Sequence, residues 1–575
     1  MLKKINLLLL SCSIFLFSIG FAVQFMDVSE IKPGMRGIGK SVFTQTKIED
    51  FEVEIIDVIN NISPRGDLIL ARLSGGSFPG GLEKSGLIAG MSGSPVYIDG
   101  KLIGALSSTW SFLKEPIGGI TPIKEMLEII DIDQRSEAMP NNEDFQRTGQ
   151  KNQLSHIPIP VAFSSSALNE NSEFLPQIKD LFSGFGFLPI FGAGTGSDSI
   201  NLELEPGAAV GVGLIQGDMR AAGIGTLTYR DKDKILAFGH PMFLGGKVEF
   251  PLIAGVIHSI MPSTALSFKV FSPTKPIGTV SQDLASGILG SIGKTPKLTP
   301  VKVAIRSSGI DTNFYYETIN HKLLLPGLFR AMIINSIVAK AGIFGESTIK
   351  ADMTITIQAD QKRIVKFQQM VSGTGSTAEI TANLTEPIAL LLANQFEKVK
   401  VEDITTTINI EDGRKISRIE KLAADKEKVR PGDSLELTLV LSSYQGKQYN
   451  RKISIQIPKQ TPDGKLILLA ANADSTYLIE LSRTPEFTPR SFIQLVERIQ
   501  NFGKSNEIQI SGYIPEKGVV IQAQELPNPP QFLKQVVTRT KNSLSFTQSS
   551  LILRHSLTMD NIIIGSARLN LIVER

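Results

Sequence analysis

The stretch from Gly90 to Trp110 constrains this chain more than any other. Gly90-Met91-Ser92-Gly93-Ser94-Pro95 places a hydroxyl between glycines at a tight turn, and two short apolar runs joined by Asp99-Gly100 follow at once. Asp-Gly between alternating runs signals a hairpin, because both turn positions accept positive φ. Ser92 therefore stands at a corner just before a hairpin. With 50 glycines, 30 prolines and many short alternating runs, the chain as a whole reads as mainly β.

A serine that transfers acyl groups needs an exposed hydroxyl and main-chain N–H groups aimed at the developing oxyanion. The amides of Gly90 and Ser92 have the spacing for that pair. The segment resembles the nucleophile loop of trypsin-like serine proteases, and the likeness continues into Ile117-Gly118-Gly119-Ile120-Thr121-Pro122-Ile123. A short helix over Pro122 to Ile130 is expected next, with Thr121 as N-cap and Pro122 in its first position. The strand Gly118, Gly119, Ile120, Thr121 is the expected partner of an extended substrate, since strand addition needs only a backbone edge.

Met1-Leu2-Lys3-Lys4 and the apolar run Ile5 to Val23 read as a secretory signal peptide over residues 1–22, cleaved after Ala22. Left uncleaved, this run approaches the ~20 residues of a spanning helix and would be the one membrane attachment expected. Cys12, the sole cysteine, lies inside it. The mature chain thus excludes disulfides, thiol nucleophiles and cysteine zinc sites. A net charge of +3 over 575 residues gives no basic field for nucleic acid. The expectation is export to the periplasm or cell envelope, or secretion, with no cofactor. Oligomeric state is not legible.

Strands over Lys40–Phe43, Phe51–Val58 and Leu68–Leu73, with the serine hairpin, make a serine-bearing barrel half at 23–132. A polar linker, 133–157, follows. The next block, 158–403, carries Gly223-Ile-Gly-Thr-Leu-Thr-Tyr and Ile235-Leu-Ala-Phe-Gly-His240, two strands around a charged turn. His240 stands at the end of the second strand, where an imidazole could take the serine proton and return it to the leaving group. The other histidines are His156, His258, His321 and His555, none at metal-ligand spacing, and no metal is expected.

The two motifs together resemble the stage IV sporulation protein B (SpoIVB) peptidase family, whose members carry a Gly-Met-Ser-Gly-Ser-Pro loop and a Gly-Thr-Leu-Thr strand leading to Gly-His. The likeness covers roughly residues 28–300. It implies a trypsin-like double β-barrel using Ser92 and His240. In the sporulation protein the histidine precedes the serine, whereas here the serine half comes first; geometry and not chain order defines such a site. Nothing reads as that protein's PDZ module. Its acid is thought to lie shortly before the serine, where this chain offers only Glu83. The logic of chymotrypsin-like enzymes points instead to Asp283, and a Ser/His dyad stays open.

The run Leu323–Phe344, broken by Pro326, Arg330 and Lys340, reads as a buried helix, and Thr385 as the cap of another short one. From about Ile404 period-two alternation takes over. Leu435, Leu437, Leu439 and Leu441 share one face, as do Ile453, Ile455 and Ile457, so 404–575 is expected to be a β-sandwich-like accessory domain. Phe492, Leu495, Val496 and Ile499 mark one helix within it. The reading is an exported serine endopeptidase with a protein or peptide substrate in the envelope, or itself as substrate. The alternative is a catalytically silent envelope scaffold that keeps the fold.

Overall fold

The computed structural model describes residues 23–63, 66–110, 112–135, 154–165, 167, 173–191, 204–341, 345–483, 489–501, 504–521, 524–532 and 544–575. The expected signal segment and most of the expected linker lie outside them.

Six strands close the first barrel: β1 (Arg36–Thr44), β2 (Lys47–Ser63), β3 (Gly66–Ser74), β4 (Pro95–Ile98), β5 (Lys101–Thr109) and β6 (Ile117–Pro122). They run in the order β4-β1-β2-β3-β6-β5, and β5 pairs back onto β4. Asp99 (φ 50°) and Gly100 (φ 76°) form the hairpin turn between β4 and β5, as the Asp-Gly signal requires. A second closed barrel uses β7 (Ala209–Gly217), β8 (Arg220–Asp231), β9 (Lys234–Ala237), β10 (Gly246–Met261), β11 (Ser267–Leu284) and β12 (Gly287–Ile292), ordered β8-β9-β12-β11-β10-β7 with β7 pairing back onto β8. The molecule is thus mainly β, a trypsin-like double barrel followed by a C-terminal β domain.

One apolar cluster crosses between the barrels. It joins Val42, Phe43, Phe51, Ile88 and Met91 of the first to Ile224, Ile257 and Phe271 of the second. Main-chain bonds cross as well: Gln45 and Ile257 exchange N–H···O bonds of 2.6 and 2.9 Å. Ile88–Ala89 adds in parallel to Ser267–Phe268.

Beyond the second barrel its sheet runs on through Ile310–Thr318, Thr299–Ser307 and Lys400–Asp412 to Ser347–Gln358 and Lys362–Gly373. The expected domain boundary at 404 therefore falls inside a strand that belongs to this sheet. Alternation at Ile404, Ile408 and Ile410 reports a buried face and does not say which sheet the face covers. Leu325–Ala341 is the expected buried helix, with Leu328, Phe329, Met332, Ile333 and Ile337 all buried. The expected short helix capped by Thr385 is instead the end of one long helix, Ser376–Leu392, with Pro387 inside it. Thr385 Oγ1 donates to Thr381 O, bonding back within the helix in place of capping.

Two C-terminal sheets, of four and five strands, share one core. The leucine and isoleucine stripes read from the sequence lie buried in it. The helix Phe492–Gln500, N-capped by Ser491, turns its apolar face to the central core and ties the accessory domain to it.

Lys269 is fully buried where the barrels meet. Its Nζ donates to Ser41 Oγ at 2.9 Å and lies 6.0 Å from the Phe43 ring centre. Desolvation pulls the amine down from 10.5 to about 7. The unfolded chain binds this proton below pH 10.5 and the folded one only below about 7, so stability falls as pH drops through that window. Lys269→Met is expected to raise stability at pH 7 and to remove a slope of roughly 1.4 kcal/mol per pH unit from denaturant titrations run between pH 7 and 10.

Candidate active site

The serine loop turns on two glycines in the left-handed region, Gly90 (φ 99°) and Gly93 (φ 94°). Within it the amides of Met91, Gly93 and Ser94 donate to Ile88 O, Leu106 O and Met91 O at 3.0, 2.7 and 2.9 Å. The amides of Gly90 and Ser92 take no part in these bonds. Ser92 is wholly buried, and its Oγ, like that of Ser94, has no hydrogen-bond partner among the described residues.

The loop's carbonyls are held by β8. Thr226 N donates to Ser92 O at 2.8 Å, Thr226 Oγ1 to Gly90 O at 3.0 Å and Thr228 Oγ1 to Gly93 O at 2.7 Å. In the Gly225-Thr-Leu-Thr run the two threonines lie two residues apart, so both hydroxyls reach one face of the strand. Sequence reasoning took this run for a strand leading to the histidine and missed its grip on the serine loop. Gly93 lets the backbones meet: a Cβ there would lie 2.0 Å from Thr226 O and 2.4 Å from Phe238 N.

His240 follows Phe238 (φ 75°) and Gly239 (φ 67°), two left-handed residues that turn the chain out of β9. Thr121 Oγ1 donates to Gly239 O at 2.7 Å and lies 2.8 Å from Ser107 Oγ. The histidine segment is thereby pinned to the end of the serine hairpin. His240 is buried, and its Nδ1 lies 2.8 Å from Pro241 O. A carbonyl only accepts, so Nδ1 carries the proton and Nε2 of the neutral ring holds the lone pair.

Asp283 lies on β11, fully buried, and binds main chain. Oδ1 accepts from Met242 N at 2.7 Å; Oδ2 accepts from Phe243 N at 2.7 Å and Gly245 N at 3.1 Å. Burial raises its carboxyl to about 6 although the amides of Gly245, Phe243, Met242 and Leu244 pull the other way. The contacts found for it hold the loop after His240, and the bond found at the imidazole Nδ1 is to a carbonyl. His321 packs against Phe243 and Phe250. Desolvation and then Lys322 lower it from 6.5 to about 4, so it is neutral.

The expected substrate strand needs correction. Gly118–Thr121 lies in β6, whose one edge pairs with Ile69–Arg72 and whose other pairs with Gly104–Ser108. Both rows of main-chain groups are occupied, so nothing can add there. Thr121 also anchors Gly239 and does not cap the helix, which begins at Ile123. No local signal places His156 here, yet its ring stacks on that of His240 at 5.0 Å and 14°. Among the described residues no three His, Cys, Asp or Glu side chains converge as a metal site would require.

The family model described as SpoIVB peptidase S55 matches residues 21–127. Over this stretch the chain is similar to the SpoIVB peptidase family. The match spans the serine barrel and its loop and ends well before His240. Comparison with curated proteins and with solved structures gives no match.

Removing the Thr228 hydroxyl leaves Gly93 O buried and unpaired. Thr228→Val is therefore expected to cost about 1–3 kcal/mol in a denaturant titration. Gly93→Ala, which drives a Cβ into main chain at a left-handed φ, is expected to cost on the order of 3 kcal/mol or more. Asp283→Asn loses acceptors for the amides after His240 and is expected to cost about 1–3 kcal/mol in the same assay.

Proposed function

We propose that this chain is a serine endopeptidase of the SpoIVB type, exported by its N-terminal segment, that cuts a protein of the cell envelope or its own chain. Ser92 Oγ attacks the peptide carbonyl and His240 Nε2 takes its proton, then returns it to the leaving amine. The Gly90 and Ser92 amides receive the oxyanion. Pro241 O holds the imidazole tautomer, and Asp283 is a positioning residue that acts through the loop carrying it.

One observation carries this reading. The glycine-flanked Ser92, with its unengaged hydroxyl, is bonded through its own carbonyl to Thr226, and Thr226 O in turn accepts from Phe238 N at 3.3 Å, two residues before His240. The rival reading, a silent scaffold, draws on the complete burial of Ser92. A fluorophosphonate probe separates them. Labelling is expected on the folded full chain, lost in Ser92→Ala and slowed on the order of 10²-fold or more in His240→Ala. Labelling that survives Ser92→Ala, or none in any form, overturns the proposal.

A further inference from the structure

We infer that residues Ser155, His156 and Ile157 lie in the peptide-binding cleft of this site as an internal strand that blocks it, an inference that rests on the peptidase reading above. The end of β5 is the edge that Gly118–Thr121 cannot be. There the chain itself has added a short antiparallel strand, with His156 opposite Ser108 and Ser155 opposite Thr109. Ile157 N donates to Ser107 O at 2.9 Å. Ser107 also belongs to the network that pins Gly239, so anything laid along this edge runs past His240.

Successive side chains of the added strand behave as a bound peptide's would. His156 is exposed except where its ring covers His240. Ile157 points the other way and is fully buried, in the cluster that holds Leu87, Met91 and Leu106 around the serine loop. Recognition by strand addition takes affinity from main-chain bonds and specificity from pockets for alternate side chains. Residues 155–157 supply both. Pro158 follows, so the next peptide nitrogen has no hydrogen, and Ile159–Ser164 then enters the second barrel's sheet beside Arg220–Gly223. The strand is thus held downstream within its own molecule, at the high effective concentration of a tethered ligand. Its burial of Ile157 also names the substrate class: an extended segment whose side chain at this depth is a branched aliphatic.

A disulfide locks or frees the strand. Thr109 and Ser155 face each other across the pairing, where Cα separations of about 4.5–5.5 Å suit the bond. Cys12 is the only native cysteine. In the full chain carrying Thr109→Cys and Ser155→Cys, the oxidised form is expected to take up fluorophosphonate on Ser92 at least about ten-fold more slowly than the reduced form. Ile157→Asp, checked for folding by its melting curve, is expected to label faster than wild type by a similar factor. Failure of the cross-link to form in folded protein overturns the inference. So do equal rates in the oxidised and reduced forms while Ser92→Ala abolishes the signal. Absence of labelling in every form removes the peptidase reading and the blocking role with it; a cross-link that still forms then leaves a structural pairing alone.

Discussion

The molecule depends on a contact between two main chains. Gly93 brings the serine loop against Thr226 and Phe238 at a distance that no side chain could share, and Thr226 and Thr228 close hydrogen bonds over the carbonyls so buried. Each such bond contributes only about 1 kcal/mol net, but leaving its carbonyl unpaired would cost more. The contact therefore fixes register as much as it adds stability. Two closed barrels meeting on apolar surface alone could slide. With the carbonyls of Gly90, Ser92 and Gly93 all met by one strand, they cannot.

Polar groups are buried both between the barrels and within the second one. Burial beside Ser41 and Phe43 pulls the Lys269 amine down to about 7, and burial between aromatic rings lowers His321 to about 4. Asp283 is compensated by backbone amides, so its burial holds the loop after His240 in place. Desolvation opposes all three charges, and the groups persist where geometry gives them a partner or neutrality removes the penalty.

Between the barrels the chain crosses the junction once more, through Ser155–Ile157. Because that crossing pairs with the end of the serine hairpin and then joins the second barrel's sheet, it links the two halves and covers their common edge. The stacking of His156 on His240 belongs to the same arrangement.

Local chemistry made much of this legible. Asp99-Gly100 dictated a hairpin, alternating leucines from Leu435 to Leu441 dictated a one-sided strand, and glycines around Ser92 dictated a tight turn, since each rests on φ preferences or on the two-residue period of a strand. The occupation of both edges of Gly118–Thr121, the sheet that claims Lys400–Asp412, the amides that meet Asp283 and the ring that covers His240 were decided only by the tertiary structure. Those partners lie elsewhere in the chain, tens of residues away in most cases. Which of them meet is set by how the barrels close and dock, and a local pattern carries no record of that.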